Sequence, residues 1–112
     1  MNHWLSFLVV SFVLNSPQFL AAQQQGDAAA GKAVYTKSCA TCHGVAGEGK
    51  EALAKALQVE MRHLGSAEVQ AKSDDALRKD VLDGVRKMKP VKGLNDKDLS
   101  NLIAYLRALA KK

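Results

Sequence analysis

Apolar positions along the chain recur with a helical period, and no run alternates in the way of a strand. The last stretch is the clearest: Leu99, Leu102, Ile103, Leu106 and Leu109 fall on one stripe, the spacing of a helix that buries one face. Asn95 stands at its cap with Asp98 three residues on, Leu94 and Leu99 hold the positions of a hydrophobic staple, and Lys111-Lys112 suits the negative end of the helix dipole. Further back, Asp27 can cap a helix that runs through Ala28-Ala29-Ala30 to about Ser38. Ser73 can cap a second helix over residues 74–83, which Gly84 would end. Shorter helical turns are expected over residues 51–58 and over 66 to about 72. Gly44, Gly47 and Gly49 mark a loop, and residues 85–93, with Pro90 and no period, should form another, ordered one. The expectation is an all-α domain.

Residues 1–22 read differently. They carry no Lys, Arg, Asp or Glu, and the apolar run over residues 4–14 is broken by Asn15-Ser16-Pro17, with the small residues Ala21 and Ala22 following. That is the layout of an export signal cleaved after Ala22, although Asn2 and His3 supply no firm positive charge at its start. A bilayer span needs roughly 20 apolar residues, so the run is short for an anchor. Cleavage would release the protein to the periplasm with no stable membrane span, whereas retention would leave it membrane-anchored. No cysteine lies near the cut, so lipid attachment there is not expected. Residues 23–26 form a polar linker, and residues 23–112 are expected to make one domain.

Setting residues 1–22 aside changes the picture of the core. Trp4, Phe7, Phe12 and Phe19 go with them, which leaves Tyr35 and Tyr105 as the aromatics of the domain. Such a core is thin, and small domains of this kind usually need a disulfide, a metal or another staple. Something other than side chains should fill the middle.

The two cysteines supply a candidate, because they stand in Cys39-Ala40-Thr41-Cys42-His43. On helical geometry residues i, i+3 and i+4 share a face, so both thiols and the imidazole can address one flat cofactor. CxxCH is the attachment pattern of haem c: the two sulfurs add to the haem vinyl groups and His43 turns its ring onto the iron. The competing readings fit less well. A thioredoxin-like dithiol would follow a strand in a βαβ unit, and no strand is predicted. A zinc site needs four ligands, and only His63, badly placed, remains to help. A disulfide across two intervening residues would staple almost nothing.

A second axial ligand must come from elsewhere in the chain, and the methionines after residue 22 are Met61 and Met88. Methionine at helical spacing is usually core filler. Met88 escapes that reading by context: it lies in Lys87-Met88-Lys89-Pro90, in the loop between the Gly84 helix stop and the cap of the last helix. Side chains there are not committed to a helix face, and Pro90 stiffens the adjacent backbone. Met88 is therefore the expected ligand, its soft thioether favouring ferrous iron and raising the potential. Met61 and His63 read as packing or surface residues, since a lone histidine is more often one of these than a ligand.

Over residues about 27 to 110 the chain resembles the small class I bacterial cytochromes c. In that family a glycine and an aromatic four residues later precede CxxCH, as Gly31 and Tyr35 do here. A leucine and an aromatic three residues later sit in the last helix, as Leu102 and Tyr105 do. The resemblance implies a cytochrome c fold in which the N- and C-terminal helices cross at close contact beside one covalently bound haem, with Gly31 letting the backbones approach. Residues 84–96 look like the family's methionine–proline loop leading into the last helix, with Lys89 inserted between Met88 and Pro90. The chain departs from the family after CxxCH. Many members have a glycine–proline pair whose carbonyl orients the haem histidine, and Val45-Ala46-Gly47 stands here instead. The partner of His43 is thus left unassigned, and Tyr35, Arg62 and lysines remain unranked candidates for the haem propionates.

The formal net charge of +5 lies entirely after residue 22, and Arg86, Lys87, Lys89 and Lys92 bracket Met88. A charge run is often no more than a solvated surface. If Met88 lies on the haem, these cations would ring the edge where electrons enter and leave, steering acidic partner proteins. Export and the lack of a readout motif disfavour nucleic acid. The expected role is therefore an electron carrier, not an enzyme, shuttling single electrons between respiratory or dehydrogenase partners with His43 and Met88 as axial ligands. The alternatives are a haem subunit fixed to a larger oxidoreductase, and a haem peroxidase, which would require an open iron position.

Overall fold

A computed structural model describes residues 26–111. The expected export signal over residues 1–22 lies outside them. Six helices follow in order: α1 (Ala28–Ser38), α2 (Ala40–His43), α3 (Glu51–Leu57), α4 (Ala67–Gln70), α5 (Asp74–Asp83) and α6 (Asp96–Ala108). Among the described residues the only bridge outside helices is a single antiparallel pairing of Val85 with Met88, so the domain is all-α.

The helix starts follow from side chains that satisfy otherwise unpaired backbone N–H groups. Asp27 accepts from the backbone nitrogens of Ala29 and Ala30, Ser66 from Val69, and Ser73 from Ala76. Asn95 and Asp98 form a reciprocal capping box, each side chain accepting from the other's backbone N–H. Such caps contribute about 1 kcal/mol each. α3 has no side-chain cap and buries no residue fully.

The core lies where α6 crosses α1 and receives α5. Tyr35 and Leu102 are fully buried, with Leu77, Val81, Leu99, Ile103 and Leu106 around them. The expected stripe on α6 is the buried one, except that Leu109 sits past the helix end and is only half-buried. Burying a leucine contributes about 2 kcal/mol, and this cluster is the main source of apolar stabilisation. The helices meet backbone to backbone: a Cβ on Gly31 would lie 1.8 Å from the Asn101 carbonyl oxygen. Only glycine fits there. Asn101 itself is buried, and its Oδ1 accepts from the Asp27 backbone N–H at 2.8 Å, so α6 holds the start of α1. The Tyr35 and Tyr105 rings pack tilted at 55° with centroids 5.1 Å apart.

At the far end of α6 the cation in the last turn is Arg107. Its guanidinium donates to the Gln70 carbonyl at 2.8 Å and to the Asp74 carboxylate at 2.9 and 3.0 Å, tying α6 to the α4–α5 connection. Lys111 lies beyond the helix, and its backbone N–H reaches the Gly65 carbonyl at 2.9 Å. No helix among the described residues is long and apolar enough to cross a membrane.

Candidate functional site

Cys39, Cys42 and His43 are brought together by a break between two helices. Cys39, at φ −125° and ψ −38°, ends α1 and begins α2, so the three residues are not on one continuous helix. The shared face survives because the Cys39 carbonyl accepts from both Cys42 N–H, at 3.2 Å, and His43 N–H, at 3.0 Å. One turn therefore presents two free thiols and an imidazole. Cys39 is half-buried and Cys42 exposed. Burial, and then the neighbouring Cys42, push the Cys39 thiol up to about 11.

His43 is half-buried, and burial lowers its pKa from the ordinary histidine value. The ring is held neutral, which is the form that binds a metal. Its Nδ1 atom is buried without a hydrogen-bond partner, the one such side-chain nitrogen or oxygen among the described residues. The carbonyl that would orient this ring is not supplied.

The backbone around His43, by contrast, is well held. Gly44 adopts φ 83° and ψ 167° and stops α2, a conformation that side-chain-bearing residues avoid. Gly44 N–H donates to the Ala40 carbonyl at 2.9 Å, Gly49 N–H to the His43 carbonyl at 2.7 Å, and Lys50 N–H to the Cys42 carbonyl at 3.3 Å. The Glu48 carboxylate accepts from Ala46 N–H at 2.8 Å. Its pKa is lowered, first by its own backbone N–H and then by that of Ala46. The buried Tyr35 hydroxyl donates to the Gly44 carbonyl at 2.6 Å. Tyr35 therefore drops out as a candidate propionate donor: its single O–H proton is committed to the backbone inside the core. Arg62 is paired with Glu60 and Glu68.

Met88 lies on a separate loop. It is half-buried, and it exchanges backbone hydrogen bonds with Val85, Met88 N–H to the Val85 carbonyl at 2.8 Å and Val85 N–H to the Met88 carbonyl at 3.0 Å. Arg86, between them, has a positive φ of 52°. The Gly84 backbone lies against the Met88 carbonyl, and Val91 N–H returns to the Val81 carbonyl of α5 at 2.9 Å. The loop is thus fixed to α5 on both sides of the sulfur-bearing residue.

Met61 packs beside Gly49, on the segment that follows CxxCH. His63 uses its Nδ1 to accept from Gly65 N–H at 2.9 Å. The Tyr35–Gly44 bond is the part of the site that reading along the chain missed. Nothing local marks it, because nine residues and a helix end separate its two groups.

Known proteins match the chain over nearly all of the described residues. A family model described as cytochrome c matches residues 28–110, a span that contains Cys39, Cys42, His43 and Met88. Over 89 residues the chain is 38% identical to cytochrome c-554(547) of Halothiobacillus neapolitanus, covering 75% of this chain and 98% of that protein. Among solved structures, the KustC0563 c-type cytochrome is similar with a TM-score of 0.62 at 31% identity, covering 72% of this chain and 98% of that one.

Proposed function

The chain belongs to the cytochrome c family, with covalently bound haem c and a role in electron transfer, and from that premise we propose a mono-haem carrier with His43 and Met88 as axial ligands. The observation that carries the ligand assignment is the single turn that presents two free thiols beside a neutral, half-buried imidazole. That donor set fits haem c: Cys39 and Cys42 would hold it by thioethers, and His43 would ligate its iron. The group supplies a one-electron couple. This chain's residues supply attachment, ligand choice and a docking face.

Met88 is supported by its place outside the helices, on a loop fixed through Gly84 and Val91. A methionine opposite the histidine leaves no open iron position and so favours electron transfer over peroxidase chemistry. Visible spectroscopy tests this directly. Oxidised protein should show a methionine-to-iron charge-transfer band, lost in Met88→Ala, and ferrous protein should not bind carbon monoxide. Ready carbon monoxide binding by the parent protein sinks the closed-site reading.

The partners in this reading are redox proteins with acidic docking faces. Arg86, Lys87, Lys89 and Lys92 are all exposed, and none makes an ion pair with a described residue, whereas Lys55, Lys72 and Lys79 each do. Unneutralised charge of this kind raises association rates with an opposite surface. The same carrier would be periplasmic, on the strength of the uncharged, apolar residues 1–22. N-terminal sequencing of the protein from a periplasmic fraction checks that. A chain beginning after Ala22 is expected, and an intact Met1 in the membrane fraction would mean an anchored form.

A further inference from the structure

We infer that the Tyr35 hydroxyl is a positioning group for His43, acting through the Gly44 carbonyl. The inference rests on the proposal that His43 is an axial ligand. An axial imidazole must be held in rotation as well as in place, and the usual means is a hydrogen bond to the ring nitrogen away from the metal. Among the described residues His43 has none: its Nδ1 is buried without a partner. Orientation must then come from the backbone on which the ring is mounted.

That backbone is restrained on each side of Gly44. The peptide between His43 and Gly44 is held by Gly44 N–H on the Ala40 carbonyl and by Gly49 N–H on the His43 carbonyl. The next peptide is held by the Tyr35 hydroxyl, 2.6 Å from the Gly44 carbonyl oxygen, and by Gly47 N–H, which donates to the same oxygen at 3.4 Å. Val45 cannot share that task, because its side chain is 79% exposed and packs on little. Among these restraints the Tyr35 bond is the one made by a side chain, and it comes from the most deeply packed part of the molecule. Tyr35 is 1% exposed, stacked on Tyr105 and lodged at the α1–α6 crossing. Burial raises its phenol above the ordinary value, so the hydroxyl stays protonated and able to donate across neutral pH. The helix crossing and the ligand turn are thereby joined by one hydrogen bond.

The test is Tyr35→Phe in the haem-loaded protein, which keeps the ring and its contact with Tyr105 and removes only the donor. The readouts are the spread of hyperfine-shifted haem methyl resonances in the ferric state, which follows axial ligand orientation, and the midpoint potential. Both should move in Tyr35→Phe and stay at the parent values in Tyr105→Phe, which removes a hydroxyl from the same aromatic pair without touching Gly44. If Tyr35→Phe lowers only the melting temperature while the methyl pattern and potential match the parent, the bond is structural and the inference is overturned. Histidine-selective 15N labelling of the parent separates the premise. A hyperfine-shifted ring assigned to a residue other than His43 overturns the ligand assignment and this inference together, whereas a shifted His43 with an unchanged Tyr35→Phe pattern overturns this inference alone.

Discussion

The two sides of this domain are stabilised in different ways. The α1–α6 crossing is held by apolar burial and by backbones that touch, with Leu102 and Tyr35 wholly enclosed and Gly31 against Asn101. The loops that carry the proposed ligands, residues 39–50 and 84–91, are held by backbone hydrogen bonds, and α2, α3 and α4 bury no residue fully. Close packing tolerates no added atom. Hydrogen-bonded loops tolerate substitution of exposed side chains but depend on each backbone conformation. Stability and chemistry are therefore separable to a large degree, with Tyr35 spanning the two.

The strongest way to break that contrast is Gly31→Ala. A methyl placed 1.8 Å from the Asn101 carbonyl forces the helices apart, at a cost of about 3 kcal/mol in chemical denaturation. Residual folded protein should retain an unaltered ligand spectrum. Met88→Ala should do the reverse: it abolishes the charge-transfer band yet costs only about 1 kcal/mol of side-chain packing, because the residue is half-buried. If Met88→Ala unfolds the domain as fully as Gly31→Ala does, the two sides are not separable.

Removing the Asn95 cap sits lower on the scale. Asn95→Ala should cost about 1 kcal/mol by deleting one half of the capping box, with no change in spectrum or potential. Arg86→Gly should run in the opposite direction and stabilise the domain by about 0.5 kcal/mol, since glycine relieves a backbone held at φ 52°. The same substitution removes a cation beside Met88, so association with an acidic redox partner should slow and its salt dependence flatten. A slower rate with an unchanged salt slope would argue against the docking face.

A pH dependence confined to the alkaline range sharpens the role of Tyr35. Its pKa is raised from 10.0 to about 12 in the folded state, so the folded protein binds the proton more tightly than the unfolded chain does. The associated stability is complete below the ordinary phenol value and is lost as pH rises from about 10 towards about 12. Denaturation midpoints of Tyr35→Phe should lack this component, and the gap between the two proteins should narrow across that range.

Much of this was legible along the chain. The start of every capped helix was predictable, because the cap and the N–H it serves are two or three residues apart. CxxCH was legible for the same reason. The end of the first helix near Ser38 was legible too, whereas the joint at Cys39 was not: there one bifurcated carbonyl preserves the shared face. At the chain end α6 stops at Ala108, and Arg107 is caught by carbonyl and carboxylate groups of Gln70, Lys72 and Asp74 that no periodicity reveals.

By itself, then, the sequence determined where helices begin, which residues can attach a haem, and where the positive charge collects, all consequences of neighbours a few positions apart. Tertiary structure decided the rest. The Asn101 hydrogen bond to Asp27 spans 74 positions, the burial that lowers the His43 pKa comes from the folded surroundings, and the Tyr35 hydroxyl reaches Gly44 across the joint between α1 and α2. Distances and burial of this kind are properties of a packed chain. A pattern of residue types can suggest which groups meet, but how far His43 is buried follows from how the chain packs around it.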